Sequence, residues 1–255
     1  MNKLSLKEKY HQSRHKKNIK VLICVLFIVF CMYVITSSSI NLKIGNIFFG
    51  KIPKLYNVNL ANFFFTQSAY TPVSPAVTYA HYQLGRTYFI RGELGAGLFE
   101  TEEELRLHPE NKRSYYMIGL IYGYMGEEQK AIDAFGKFIS WKPESWAARN
   151  DKAWLEFRIG DIDAALATIE PVAHLTDNAW VQNTYGTLLM NKKKYKEAAQ
   201  AYEYAKFAAE KMTPKEWGNT YPGNDPRVYT TGLNAMRLSI ETNIKLLEEK
   251  AKMKQ

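Results

Sequence analysis

The sequence predicts an all-α fold: a right-handed α-solenoid of about four helix pairs, with a C-terminal capping helix and one N-terminal transmembrane helix. Three observations support this prediction. A pattern of small and large side chains recurs at intervals of about 34 residues between residues 78 and 210. An uninterrupted apolar run fills residues 21–35. Apolar side chains recur every three or four positions within residues 229–252.

The recurring unit is most complete in residues 112–145, which contain Tyr115, Ile118, Gly119, Tyr122, Gly126, Ala131, Phe135 and Pro143. Related residues recur in copies at 78–111 (Leu84, Gly85, Tyr88, Gly92, Pro109), 146–178 (Ala153, Gly160, Ala165, Ile169) and 179–210 (Tyr185, Gly186, Leu189, Tyr195, Ala198, Tyr202). Small residues at the eighth and twentieth positions let two antiparallel helices approach, and larger residues fill the space between them. Each copy is therefore predicted to form a helix-turn-helix unit.

These residues resemble the tetratricopeptide repeat (TPR) family over residues 78–210, roughly half of the chain. The third copy departs from the family pattern. Arg149, Lys152 and Glu156 stand where the family usually has large apolar or aromatic residues. The resemblance implies stacked helix pairs in which the first helix of each pair lines a concave groove.

The resemblance also implies which residues face the groove, because positions two, five, nine, twelve and thirteen of each copy usually point into it. Aromatic residues with scattered arginine and asparagine occupy these positions: Tyr79, Tyr82, Arg86, Phe89, Arg113, Tyr116, Leu120, Tyr124, Asn150, Trp154, Phe157, Arg158, Trp180, Asn183, Thr187, Met190 and Asn191. Aromatic rings offer contact area to a peptide, and asparagine can pair with its backbone. The alternative is that about half of the aromatic rings pack against neighbouring helices instead.

One known binding mode of the family is excluded by the residues at its positions. Repeat proteins that grip the carboxyl terminus of a chaperone use lysine, asparagine and arginine at five defined places. Tyr82, Arg86, Met117, Ala147 and Asp151 occupy those places here. A different partner is therefore expected.

The charge distribution excludes nucleic acid as the expected partner, although the net charge of +9 is high. Residues 1–54 hold ten basic residues and one acid, whereas residues 55–255 hold 24 of each sign. The positive charge therefore belongs to the N-terminal segment, and the repeats are neutral.

The N-terminal segment has the pattern of a membrane anchor. A basic head at residues 1–20 precedes an uncharged stretch at 21–40, which is long enough to cross a membrane as a helix or as an uncleaved signal anchor. Seven basic residues precede this stretch and three follow it within residues 41–54. This bias predicts a single-pass protein of the inner membrane, with a cytoplasmic N-terminus and extracytoplasmic repeats. A cleavable signal peptide, with Ser37 and Ser39 near the cleavage site, is the alternative.

The remaining segments are predicted to connect or cover the solenoid. Residues 41–77 are read as a juxtamembrane linker and a short capping helix around Phe63–Phe65, and residues 211–228 as a loop. The amphipathic helix at 229–252 is expected to cap the last repeat, with partner binding as its alternative role. The loop carries Trp217 and Tyr221, and a rival possibility is that it folds back into the groove.

No catalytic or metal-binding pattern is present in the sequence. The five histidines lack partners at metal-ligand spacing, and His81 is expected to be a packed core residue. Cys24 and Cys31 both lie within the apolar run, so the repeats contain no disulfide. We therefore predict a protein that is not an enzyme and that binds no cofactor, metal or nucleic acid.

The function predicted from these features is a membrane-anchored scaffold. Its groove is expected to bind a peptide or protein partner in envelope assembly, secretion or folding. One alternative is a non-catalytic subunit that positions a membrane glycosyltransferase or cell-wall enzyme. Another is an organellar receptor with cytosolic repeats, which the basic head disfavours.

Overall fold

The computed structural model describes residues 6–71, 77–220 and 225–252, and every regular element in these ranges is helical. The α-helices are α1 (Leu6–Thr36), α2 (Ser38–Asn46), α3 (Val58–Tyr70), α4 (Ala80–Ile90), α5 (Leu94–Leu107), α6 (Arg113–Met125), α7 (Glu128–Trp141), α8 (Trp146–Arg158), α9 (Ile162–Ile169), α10 (Ala179–Asn191), α11 (Tyr195–Lys211), α12 (Pro214–Thr220) and α13 (Tyr229–Lys252). A π-helical turn at Ile47–Lys51 and 3-10 turns at Pro53–Leu55, Glu170–Val172 and Pro226–Val228 complete the described elements.

Each of the ranges 78–111, 112–145, 146–178 and 179–210 contains one packed helix pair: α4 with α5, α6 with α7, α8 with α9, and α10 with α11. The first three pairs turn at Gly92, Gly126 and Gly160, whose φ angles are 77°, 78° and 89°. Glycine suits these turns because a Cβ disfavours positive φ. In the fourth turn Lys193 adopts this conformation, with φ of 61°.

The two helices of a pair approach most closely where a small residue faces a large one. A Cβ added to Gly119 would lie 2.9 Å from the Phe135 ring, and one added to Gly186 would lie 2.8 Å from the Tyr202 ring. Phe135 and Tyr202 are almost completely buried. The glycine at the eighth position of these copies is therefore a packing requirement.

The third pair is held by polar contacts where the repeat pattern is weakest. Arg149 of α8 donates to the carbonyl of Thr168 in α9 at 3.0 Å and to the carbonyl of Pro143 at 2.7 Å. Lys152 contacts Glu156 on its own helix and donates to Thr168 Oγ1 at 3.1 Å. Hydrogen bonds to α9 and to the preceding turn thus replace the large apolar side chains of the other pairs.

A further helix pair, α2 with α3, stands before the four pairs. Phe65 of α3 is fully buried and lies against Gly45 of α2. Asn62 of α3 donates to Thr87 Oγ1 of α4 at 2.8 Å, which ties this pair to the first repeat. The helix around Phe63–Phe65 therefore covers the end of the solenoid as one half of a pair, and α2 occupies part of the expected linker.

The stretch 21–40, which was predicted to form one helix, is interrupted at Ser37. Helix α1 ends at Thr36, and Ser37 begins α2 by accepting a hydrogen bond from the Ile40 amide at 3.4 Å. None of the helices in the described ranges has, by itself, both the length and the hydropathy of a membrane span. That length and hydropathy are reached only by two segments taken together, His15–Tyr33 and Ser38–Lys51, which are bent by 73° relative to each other.

The segment 211–228, predicted as a loop, contains helix α12. Thr213 and Glu216 form a capping box: Glu216 Oε2 accepts from the Thr213 amide at 2.8 Å, and the Glu216 amide donates to Thr213 Oγ1 at 3.3 Å. Pro214 opens the helix, where its missing N–H costs nothing. Residues 221–224, including Tyr221, lie outside the described residues.

Helix α13 packs along α11 through the buried side chains of Ile240 and Leu247. Arg237 of α13 donates to the carbonyls of Ala209 and Met212, each at 3.0 Å. These carbonyls stand at the end of α11, where backbone acceptors have no partner within the helix. The helix at 229–252 thus covers the last repeat and closes the end of α11.

A buried carboxylate fixes the start of α4, the first helix of the groove. Glu104 of α5 is fully buried and accepts from the backbone amides of Tyr79 at 2.6 Å and Tyr82 at 3.1 Å. Asn111 donates to it at 2.9 Å. A negative charge at this place satisfies amides that lack partners within the helix.

We predict that Gly119→Ala lowers the free energy of unfolding by about 1–3 kcal/mol relative to Gly136→Ala, because its methyl group would overpack Phe135. The control gains the same helix propensity, but the atom nearest to its methyl group would be Lys152 Cε at 4.0 Å. Thermal and urea unfolding followed by circular dichroism measure the difference. Equal stabilities would contradict the packing assigned to Gly119.

We also predict that Glu104→Gln destabilises the protein by about 1–3 kcal/mol, since a buried donor loses its acceptor. Glu102→Gln removes the same charge from an exposed site on the same helix and should leave the melting temperature almost unchanged. Hydrogen exchange of the Tyr79 and Tyr82 amides would locate the effect. Unchanged protection of both amides in Glu104→Gln would show that the carboxylate does not hold α4.

Candidate functional site

The first helices of the repeats line a cavity of about 750 Å³ on the concave side of the solenoid. Its walls include these residues of the predicted groove: Tyr82, Arg86, Phe89, Tyr116, Leu120, Tyr124, Asn150, Trp154, Arg158 and Trp180. They come from α4, α6, α8 and α10, which are far apart in sequence. The stacking of the pairs therefore creates one continuous surface from four separate segments.

Exposed aromatic rings dominate the middle of this surface. The side chain of Tyr124 is 73% exposed and that of Trp154 is 45% exposed. Phe89 packs edge-on against Tyr124, with the ring centroids 5.1 Å apart. Large apolar groups that are left in contact with solvent inside a concavity are typical of binding surfaces.

Tyr116 combines a packing role with a polar one. Its ring lies 5.4 Å from that of Phe135 and 5.3 Å from that of Phe138. Its hydroxyl donates to Asp151 Oδ2 at 2.7 Å, which joins α6 to α8 across the cavity wall. Asp151 was not among the predicted groove residues. It is the sixth residue of its repeat and occupies one of the five chaperone-binding places named above, and this position could have identified it.

The three arginines among the predicted groove residues have different surroundings. Arg158 pairs with Glu128 at 2.8 Å. Arg113 is exposed, and its guanidinium lies 6.0 Å from the Tyr79 ring centroid. Arg86 stacks on Phe49 of the N-terminal pair at 4.7 Å, and burial lowers the pKa of its guanidinium.

Several predicted groove residues do not line the cavity: Tyr79, Arg113, Phe157, Asn183, Thr187, Met190 and Asn191. Those of the fourth repeat are engaged within the fold. Asn183 accepts from Asn243 of α13 at 3.0 Å, and Thr187 is buried 3.1 Å from the Tyr202 hydroxyl. Because α13 reaches this part of the concave face, the fourth repeat contributes Trp180 alone among the predicted residues.

Trp217 of α12 also lines the cavity. This position agrees with the alternative in which the segment folds back into the groove. Its ring lies 6.5 Å from that of Tyr229 and fills the space over Gly232. The capping box and these contacts with α13 hold the tryptophan at the edge of the groove. The segment therefore forms part of the cavity wall.

The described residues contain no group of three or more His, Cys, Asp or Glu side chains that could hold a metal ion. His81 is buried with its Nδ1 atom 2.7 Å from Glu100 Oε2, and the Tyr70 hydroxyl donates to the other oxygen of Glu100 at 2.7 Å. This cluster joins α3, α4 and α5, so the imidazole has a packing role.

Comparisons with known proteins agree with this architecture. The family model described as "Tetratricopeptide repeat" matches residues 112–145. A curated relative, the BBSome complex member BBS4 of Bos taurus, is 26% identical over 139 residues. The match covers 54% of this chain and 26% of BBS4, so it spans about a quarter of the length of that relative.

Solved structures show the same fold at low sequence identity. YrrB, described as a TPR protein with an unusual peptide-binding site, has a TM-score of 0.54 at 16% identity, over 69% of this chain and 88% of its own. MamA gives 0.54 at 16% identity, over 68% and 97%. TTC0263 of Thermus thermophilus, described as a thermophilic TPR protein, gives 0.53 at 18% identity, over 77% and 99%.

Residues 112–145, where the family model applies, are also the copy in which the repeat pattern is most complete. The family model identifies a tetratricopeptide repeat at residues 112–145, and the solved structures show the same fold over about two thirds of the chain.

Proposed function

We propose that this protein is a membrane-anchored scaffold whose concave groove binds a segment of a partner protein in envelope assembly, secretion or folding. The observation that supports the binding role most directly is the aromatic cavity formed by α4, α6 and α8. Tyr124 and Trp154 expose their rings there, and no element in the described part of the chain covers them. Central aromatic residues of this kind supply most of the binding free energy in many interfaces.

The similarity to TPR proteins supports a protein-interaction scaffold. YrrB is described by a peptide-binding site, and BBS4 as a member of a complex. The groove of this chain has the apolar area and the polar groups that a peptide requires. One polar group of the groove, Asn150 of α8, is already engaged within the fold. Its side-chain oxygen accepts from Thr184 of α10 at 2.8 Å and so stabilises the solenoid.

The membrane role rests on α1. Its residues from Ile19 to Met32 include a run of exposed valine, leucine, isoleucine and phenylalanine side chains, with Phe27 65% exposed. Burying such a surface in hydrocarbon is favourable by about 25 cal/mol for each Å² of apolar area. The basic residues before this run favour retention of the N-terminus in the cytoplasm.

We predict that Trp154→Ala and Tyr124→Ala each weaken partner binding by about 2 kcal/mol or more, because each removes an exposed ring from the centre of the groove. The full-length protein is purified from its native membrane in mild detergent, and the Kd of each co-purified protein is then measured by calorimetry. Phe99→Ala is the matched control, since Phe99 is 59% exposed, between Trp154 and Tyr124, and does not line the cavity.

A partner that binds both groove variants as tightly as it binds the unmodified protein and Phe99→Ala would exclude the groove. Circular dichroism of each variant tests whether the helices are intact. The exposed positions of both rings lead us to expect unchanged helicity.

We predict that a reporter enzyme fused after Gln255 is active outside the cytoplasm, because the basic bias keeps the N-terminus inside. Exchanging Lys16, Lys17 and Lys20 for glutamine should raise the fraction of molecules with the opposite orientation. An N-terminal tag that remains on the membrane-bound protein would exclude cleavage. Cytoplasmic reporter activity in the unmodified chain would contradict the proposed topology.

A further inference from the structure

The turn between α2 and α3 forms an exposed tip, residues 51–55, at the end of α2 that is far from α1. All of its residues are exposed, and two of them are large and apolar: Ile52 is 43% exposed and Leu55 is 47% exposed. Lys51 and Lys54 are exposed beside them. The tip therefore presents two apolar and two basic side chains to its surroundings.

The tip has a fixed position on the N-terminal pair. The Leu55 amide donates to the Ile52 carbonyl at 2.9 Å, and the Asn57 amide donates to the Phe48 carbonyl at 2.8 Å. The Phe48 ring stacks on that of Phe64 in α3, with the centroids 5.8 Å apart. The exposed side chains are thus held in a defined place relative to α2 and α3.

The uncharged part of α1 is shorter than the hydrocarbon that it is proposed to cross. Residues 21–36 of α1 carry no charge. At a rise of about 1.5 Å per residue they span about 24 Å, whereas the hydrocarbon of a bilayer is about 30 Å thick. The edge of the hydrocarbon therefore lies about 6 Å beyond the end of α1.

The bend after α1 brings the tip to this level. The segment Ser38–Lys51 is bent by 73° relative to His15–Tyr33 and therefore runs nearly parallel to the membrane when α1 lies along the bilayer normal. It is about 20 Å long, of which only about 6 Å is directed along the axis of α1. The tip consequently lies where the hydrocarbon ends and the headgroups begin.

The charge of this part of the chain matches the phosphates of lipid headgroups. The sequence contains no acidic residue between Glu8 and Glu93, so the positive charges of Lys43, Lys51 and Lys54 have no acid in the N-terminal pair to balance them. Anionic lipids attract clustered lysine side chains close to a membrane surface. Large apolar side chains beside lysine are typical of segments that lie in the interface.

We propose that the tip is a second membrane contact. Ile52 and Leu55 enter the edge of the hydrocarbon, and Lys51 and Lys54 bind the phosphates of anionic lipids. This proposal rests on the proposed function, because it requires that α1 crosses the membrane. Two contacts with the bilayer, joined by the fixed pair α2 and α3, hold the solenoid at one angle to the membrane surface.

The test uses the full-length protein in nanodiscs that hold a single copy, in a background of Cys24→Ala with Cys31→Ala. A nitroxide label is attached at Leu55→Cys, at Phe27→Cys in α1 or at Leu238→Cys in α13. Electron paramagnetic resonance measures the collisions of each label with oxygen, which concentrates in lipid, and with a water-soluble nickel chelate. We expect the labels at positions 27 and 55 to be shielded from nickel, and the exposed label at position 238 to be open to it.

Headgroup charge tests the two lysines. In nanodiscs that contain phosphatidylglycerol, Lys51→Gln with Lys54→Gln should lower the ratio of shielded to open label at position 55 by about fivefold for each lysine. In nanodiscs of phosphatidylcholine alone the same substitutions should have a smaller effect. Lys142→Gln with Lys206→Gln is the matched control, because it removes the same charge from exposed positions in the repeats.

The labels separate failure of the tip contact from failure of the proposed span. A shielded label at position 27 with an open label at position 55 would show that the tip contact is wrong and that the span stands. Open labels at both positions would show that both are wrong. Because each nanodisc holds one copy and no partner, shielding at position 55 identifies lipid as the occupant. Shielding that does not respond to the lysine substitutions in phosphatidylglycerol would overturn the binding of anionic headgroups.

Discussion

The structure depends on the short distance between the two helices of each pair. Gly119 against Phe135 and Gly186 against Tyr202 repeat one arrangement, in which a backbone without a side chain meets an aromatic ring. Gly45 against Phe65 shows that the N-terminal pair uses a related contact. The pairs stack so that residues of four first helices line one cavity.

Where that contact is missing, polar groups maintain the fold. In the third pair, Arg149 and Lys152 join α8 to Thr168 of α9. Glu104 holds the start of α4 from the neighbouring helix. Such groups are costly to bury unless they are fully hydrogen-bonded, so they restrict the pairs to one alignment more strictly than apolar contacts do. The relative positions of the groove residues follow from these alignments.

The groove differs from the rest of the protein in how it places apolar and charged side chains. Tyr124 and Trp154 leave large rings in solvent, and Arg86 has no carboxylate partner among the described residues. Departures of this kind reduce stability and are expected where a surface is kept for a partner. Helix α1 also exposes large apolar side chains, between Ile19 and Tyr33, in the isolated chain. Under the proposed function, the first surface would meet a peptide and the second would meet hydrocarbon.

The sequence by itself determined the repeat, because helical spacing and the need for glycine at crowded contacts and turns are local properties that the residues display directly. It also marked Tyr82, Tyr116 and Trp154 as groove residues, since their positions in the repeat set their direction. The Thr213–Glu216 capping box is an equally local signal for α12, and the glycines and prolines around it obscured it. Only the tertiary structure decided that α1 ends before Ser37, that Asn183 is engaged by α13, and that Phe49 stacks on Arg86. These outcomes depend on which distant segments meet, and a pattern along one chain does not specify contacts between residues that are far apart in sequence.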